Sequence, residues 1–180
     1  MTRVTLSVLA IAVGVIVLAG PTTIVSQARA TRAGPDARAA VHTIEALFAA
    51  AERGDMGALD TLYAGDSLLV IEGAGINRGW RDYRDNHLAP ELKEFKSFRY
   101  RPFEIEARVV GDLAWVTYRY AIAAAMEART IDAVGRGTAI LERREAKWVV
   151  RLTHTASRAR RATDPPMPSP LRTSHRAPQF

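Results

Sequence analysis

Four long extended segments, Phe98–Val110, Leu113–Met126, Arg129–Arg143 and Lys147–Ser157, follow one another with very little between them. Each is rich in aromatic and β-branched residues, and the connections Gly111-Asp112 and Glu145-Ala146 are short enough for hairpins. The second half of the chain is therefore committed to a sheet, and one face of that sheet needs a cover. From Pro35 to Arg53 the apolar residues Val41, Ile44, Phe48 and Ala51 recur three or four apart, with Pro35-Asp36 where a helix starts and Gly54 just past its end. Met56 to Tyr63 reads as a second, short helix with Leu59, Leu62 and Tyr63 on its buried side. Ser67–Glu72 reads as a strand and Gly73-Ala74-Gly75 as a turn. Gly79–Leu88 returns to helical spacing through Trp80, Tyr83 and His87, and Pro90 predicts a break before a last turn reaching Leu92 and Phe95. Helices first and strands afterwards make an α+β fold: a cone-shaped, curved antiparallel sheet packed against three N-terminal helices. Gly135 and Gly137, inside the third long strand, predict a bulge or bend that curls the sheet. A cone closed by helices encloses a cavity.

The two ends of the chain have a different character. Arg3 precedes an apolar run from Val8 to Ala19, Gly20-Pro21 ends it, and Ala28-Arg29-Ala30 has small residues where a signal peptidase requires them. Residues 1–30 thus read as a signal peptide, and the mature protein as periplasmic or secreted. The apolar run is shorter than the roughly 20 residues of a spanning helix. With no cysteine for a lipid anchor, no stable membrane anchor is expected after cleavage. Residues 31–158 then form one domain. Residues 159–180 carry Pro165, Pro166, Pro168, Pro170 and Pro178 among Ser, Thr and Arg, and predict a disordered basic tail. The net charge of +6 belongs mostly to these ends. Arg3 and Arg29 account for two charges, four tail arginines against Asp164 for three more, and one remains for residues 31–158. A nearly neutral domain lacks the basic face that phosphate tracking requires, which argues against a nucleic-acid partner.

Several stretches together resemble the nuclear transport factor 2-like superfamily, in its SnoaL-like branch. They are Ile44-Glu45-Ala46-Leu47-Phe48 leading to Arg53-Gly54-Asp55-Met56-Gly57-Ala58-Leu59, then Arg78-Gly79-Trp80, Gly135-Arg136-Gly137-Thr138-Ala139-Ile140-Leu141-Glu142-Arg143, and Lys147-Trp148-Val149-Val150 running on to His154. The resemblance implies the cone of nuclear transport factor 2-like and cystatin-like folds over residues 35–158, and a homodimer. It implies no single activity, because the superfamily includes ketosteroid isomerases, polyketide cyclases, dehydratases, kinase association domains and transport adaptors. The isomerases pair an aspartate base with a tyrosine and a protonated acid. Asp132 is the strand carboxylate of that type here, but it does not match the isomerase motif, and no catalytic role is carried over to it.

The residues themselves suggest a pocket. On the last strand, alternation groups Trp148, Val150, Leu152, His154 and Ala156 on the apolar face and so turns His154 inward, either as a core histidine with a satisfied ring or as a ligand contact. Trp80, Tyr83 and His87 share one side of a helix. Trp80 and Tyr83 close the cone as core or as ligand-binding residues, while His87 sits over its mouth. Tyr118 and Tyr120 point inward if Ala114 and Val116 on the same face do. Glu72 follows Leu68 and Val70 toward the cavity. Glu91 stands four residues after His87, a chelating spacing that Pro90 would disturb. The ligand-binding candidates are thus Trp80, Tyr83, Tyr118, Tyr120 and His154, and the metal candidates His87, Glu91 and His154. Such a set suits zinc, copper or iron(II). The same convergence of imidazole and carboxylate also describes an acid–base pocket.

Three functions are open on this basis: binding of a small ligand or metal ion in the cavity, acid–base catalysis of isomerase, cyclase or hydrolase type by a cavity histidine, and self-association without cavity chemistry. The N-terminal reading is tested directly. When the full chain is expressed in a bacterium with an intact secretion pathway, N-terminal sequencing of the exported protein should begin at Thr31; a retained Met1 would overturn the cleavage.

Overall fold

A computed structural model describes residues 34–171. The segment read as a signal peptide and residues 172–180 lie outside the described residues. Helix α1 runs Pro35–Arg53, as its spacing predicts, and buries Ile44, Leu47 and Phe48. It stops at Gly54, whose φ of 64° is left-handed; the Gly54 and Asp55 amides bond back to Ala51 O and Ala50 O. Asp55 then starts α2 (Met56–Leu62) by accepting the Ala58 amide at 3.0 Å. Two adjacent residues thus end one helix and start the next.

Six strands form one sheet in the order β2-β1-β6-β5-β4-β3. They are β1 (Leu69–Glu72), β2 (Gly75–Arg78), β3 (Ser97–Val110), β4 (Leu113–Ala125), β5 (Thr130–Arg144) and β6 (Lys147–Ala159). The sheet is antiparallel except where β1 runs parallel to β6. Strand β2, which pairs with β1 through a tight turn, has no apolar alternation and was not legible in the sequence.

The third helical stretch corrects one expectation. It runs from α3 (Trp80–Tyr83) through a π-helical turn (Arg84–Leu88) into α4 (Ala89–Glu94) without a break. Ala89 keeps helical angles, φ −67° and ψ −39°. The wide turn moves away the carbonyl that a proline ring would strike, and Pro90 falls in the first turn of α4, where a missing N–H costs little.

The glycines of β5 correct another. Gly135 and Gly137 pair in register with Tyr120 and Tyr118, with no bulge at either. They are needed for room: a methyl group on Gly137 would sit 2.5 Å from the Tyr118 ring, and one on Gly135 would overlap Tyr120. The two rings lie over bare backbone, and Phe48 of α1 packs on them at 5.3 and 6.1 Å between centroids and on Tyr100 at 4.3 Å. Each such ring contributes about 1.5–3 kcal/mol on leaving water.

The bulges that bend the sheet lie elsewhere. One separates Phe103 from Glu106 on β3, where Glu104 has φ 50°. The other places Arg151 of β6 opposite no residue, between the pairs Ile140↔Leu152 and Leu141↔Val150. One unpaired residue reverses the side-chain parity of the rest of the strand. Beyond it Thr153 and Thr155 are buried, while His154 and Ala156 are exposed. The expectation that His154 faces the cavity is overturned by this single insertion.

Strand β3 is an edge, and Glu52 of α1 caps part of it: its carboxylate accepts the Tyr100 amide at 2.9 Å and pairs with Arg101 at 3.2 Å. The residues after β6 are fastened too. Arg160 pairs with Asp132 at 2.7 Å, Arg158 grips Asp164 with two bonds of 2.7 Å, and Arg101 donates to Pro168 O at 2.8 Å. Through residue 168 the stretch expected to be a loose tail is thus held by its own Arg160 and by Arg158 of β6 and Arg101 of β3.

Gly137→Ala should destabilise the domain by about 1–3 kcal/mol, the usual cost of overpacking, read from the urea midpoint by circular dichroism. No change would mean that Tyr118 is free to move off β5.

Candidate functional site

The inner face of the sheet and the third helical stretch enclose a cavity of about 440 Å³. Its polar end is built from Glu72, the last residue of β1, Thr155 beside it on β6, and Tyr83 of α3. Tyr83 donates its hydroxyl to Glu72 Oε1 at 3.1 Å. On the same carboxylate, His87 Nε2 lies 3.3 Å from Oε2, and it is 3.6 Å from Glu91 Oε1. The π turn and the unbroken helix at Pro90 bring His87 and Glu91 together, with His87 between the two carboxylates.

The protons in this cluster can be followed. Asn77 of β2 donates its amide to Asp82 at 3.1 Å, so its carbonyl is left to accept from His87 Nδ1 at 2.9 Å. Neutral His87 therefore carries its proton on Nδ1 and presents the Nε2 lone pair to Glu72. Asp82 is kept ionised, because hydrogen bonds from Asn86, the Arg78 amide and Asn77 hold its carboxyl below the usual range. Glu72 is pushed the other way. Burial raises its pKa, the neighbouring Glu91 adds to that, and His87 with the Tyr83 hydroxyl offsets part of it. Buried Tyr83 and half-buried Tyr100 stay neutral, their pKa values raised well above normal by desolvation. Tyr120, also raised by burial, keeps its hydroxyl bonded to Ser157 and Thr155.

Of the residues singled out in the sequence, Tyr83, Tyr120, Glu72 and Glu91 line the cavity, and His87 stands behind Glu72. Tyr118 is buried beneath Phe48, and Trp80 stacks on Tyr63 at 4.7 Å with its ring N–H on Asp60. Both are core residues, not cavity lining. His154 lies on the opposite face, in a shallow groove with Glu106, Thr117 and Thr138. The set His87, Glu91 and His154 is not assembled. Among the described residues no group of three or more His, Asp or Glu is placed to hold a metal ion. Asp132, paired with Arg160, is away from the acid–base cluster. The sequence reading missed Tyr100, Thr155, Ser157 and Asn77. The Phe98–Tyr100 alternation could have shown the first. The others depend on the β6 bulge and on β2, which leave no local signal.

The geometry can be set beside known proteins. A family model described as a SnoaL-like domain matches residues 41–157. No curated protein sequence matches the chain. Among solved structures, a nuclear transport factor 2-like superfamily protein from Salmonella enterica serovar Typhimurium is similar with TM-score 0.62 at 15% identity, over 70% of this chain and 93% of that one. A protein of cystatin-like fold from Caulobacter vibrioides gives 0.58 at 22% identity, over 67% and 87%. The hexachlorocyclohexane dehydrochlorinase LinA-type3 from Novosphingobium barchaimii LL02 gives 0.58 at 14%, over 67% and 84%. At these identities the likeness carries the fold, and the family match spans most of the domain. The chain belongs to the SnoaL-like domain family, with the α+β fold of the nuclear transport factor 2-like superfamily.

Proposed function

We propose that the cavity binds a small, oxygenated carbon compound and moves a proton on it, with Glu72 as the base. The single observation behind this is a half-buried carboxyl of raised pKa, at a cavity wall, bonded by a tyrosine and backed by an imidazole whose lone pair faces it. A base with its pKa brought toward neutrality is what general acid–base catalysis needs. Glu72 takes a proton from carbon beside a carbonyl, and the electron pair passes to the carbonyl oxygen. The hydroxyl of Tyr120, held by Thr155 and Ser157, is the donor available to that oxygen. Returning the proton to another carbon isomerises the substrate; giving it instead to a β-hydroxyl, which leaves as water while the electron pair of the enolate forms the carbon–carbon double bond, dehydrates it. His87 holds the transferred proton between the two halves of the reaction. The similarity to a dehydrochlorinase is compatible with this chemistry. We further propose that the activity is exercised outside the cytoplasm, from the N-terminal signal pattern.

Self-association is a second, compatible reading. Val110, Leu113 and Trp115 are exposed at 66, 53 and 40% on the outer face of the sheet, away from the cavity. A homodimer built there would leave Glu72 untouched.

The test is turnover of simple carbon acids: conversion of β,γ-unsaturated cyclic ketones to conjugated enones followed by ultraviolet absorbance, and deuterium uptake beside the carbonyl by NMR. Glu72→Gln should lower the rate by about a hundredfold or more, the range for loss of a general base. A rate equal to wild type would remove Glu72 from the mechanism.

The same carboxyl sets a pH dependence of stability. Its raised pKa means that the folded state binds the proton more tightly than the unfolded chain does. Its contribution is therefore fully present below the ordinary glutamate pKa and is lost as pH rises through the raised value. Glu72→Gln should accordingly gain melting temperature relative to wild type as pH rises from 4 to 8. A constant difference across that range would contradict the raised pKa.

A further inference from the structure

The far end of the cavity carries an unused cation. Arg129, in the loop that joins β4 to β5, lines the same space as Glu72. Its guanidinium has one contact, Nε to the Met126 sulfur at 3.1 Å, and a thioether is a weak acceptor. The nearest acid in sequence, Glu127, is engaged by Lys96. Among the described residues Arg129 has no carboxylate partner.

Strand register sets the two ends apart. Glu72 is level with Thr155, and Thr155 with Gly137. Arg129 stands eight residues before Gly137 along the chain, just ahead of the start of β5. Both residues line one cavity, so the cavity is elongated along β5. Its middle is apolar, formed by Phe95, Tyr100, Ile122, Ile131 and Ala133. The lining therefore runs from carboxylate and hydroxyls, through hydrocarbon, to a free guanidinium.

Resting on the proton-transfer function proposed above, we infer that Arg129 is a specificity residue that anchors a terminal carboxylate of the substrate. The substrate class is an amphipathic acid: a carboxylate against Arg129, an apolar body, and a carbonyl or hydroxyl against Glu72 and Tyr120. A guanidinium fork matches a carboxylate with two parallel hydrogen bonds. A phosphate ester offers the same oxygens with more charge. Among the described residues Arg129 is the one cationic residue lining this cavity, and a single guanidinium balances the one charge of a carboxylate but not the nearly double charge of a phosphate ester.

The test uses two fluorescent probes that differ in one charge, 6-hydroxy-2-naphthoate and 6-hydroxy-2-naphthamide, titrated into the wild-type protein at low and high salt. The naphthoate should bind at least tenfold more tightly, the advantage shrinking with salt. Arg129→Gln should bring it down to the amide's affinity, and Arg129→Lys should restore part of the difference. Melting temperatures of both variants verify the fold. Equal binding of the two probes by wild type, or a preference that survives Arg129→Gln, overturns the anchor and leaves the proton-transfer function standing. Failure of both probes to bind a folded protein removes the anchor and the ligand cavity together. Tighter binding of 6-hydroxy-2-naphthyl phosphate than of the naphthoate overturns the choice of carboxylate.

Discussion

The rings of Tyr118 and Tyr120 lie over β5 because the residues opposite them have no side chains, and much of the domain depends on that close approach. It brings two large rings down onto the sheet and leaves space above for Phe48, so that α1 can settle on the middle of β4. It also sets the Tyr120 hydroxyl beside Thr155 and Ser157, at the wall of the cavity. Glycine in a strand usually weakens it. Here the lost strand preference is offset by aromatic area buried on the neighbouring strand. The curvature expected of these glycines comes instead from the bulges at Arg151 and Glu104.

The fold was legible because its signals are periodic and repeated. A helix of 19 residues with its stop glycine, and four long strands joined by short turns, each contain many residues that agree. The site was legible only in part, because it depends on single residues that alter a period. Glu72, Tyr83 and Tyr120 follow unbroken alternation or helical spacing, and they reached the cavity as read. His154 follows an alternation that Arg151 interrupts, and one residue in a strand exchanges inside for outside. His87 and Glu91 show the same sensitivity in a helix: the π turn, not the proline, decides where they point. Nothing in Arg84–Leu88 distinguishes a π turn from an α turn in sequence.

The acid–base cluster is costly to the fold. A carboxyl is kept half-buried next to a second acid, and the relay from Asp82 through Asn77 to His87 fixes a tautomer that packing alone would not require. Burial of a carboxyl without full compensation lowers stability. Arg53, Arg119, Arg143 and Arg151, by contrast, sit in ordinary ion pairs with nearby acids.

Glu52 has a role beyond holding α1 to the sheet. A sheet edge is a template for another strand, and β3 is long enough to recruit one from a neighbouring molecule. The Glu52 carboxylate occupies the Tyr100 amide, Pro102 has no amide to offer, and the bulge at Glu104 twists the strand away from a flat partner. Strand addition is therefore blocked over the first half of β3. The remaining free edge, Glu106–Val110, adjoins the exposed Leu113 and Trp115, so any chain that does pair there would form its contacts far from Glu72.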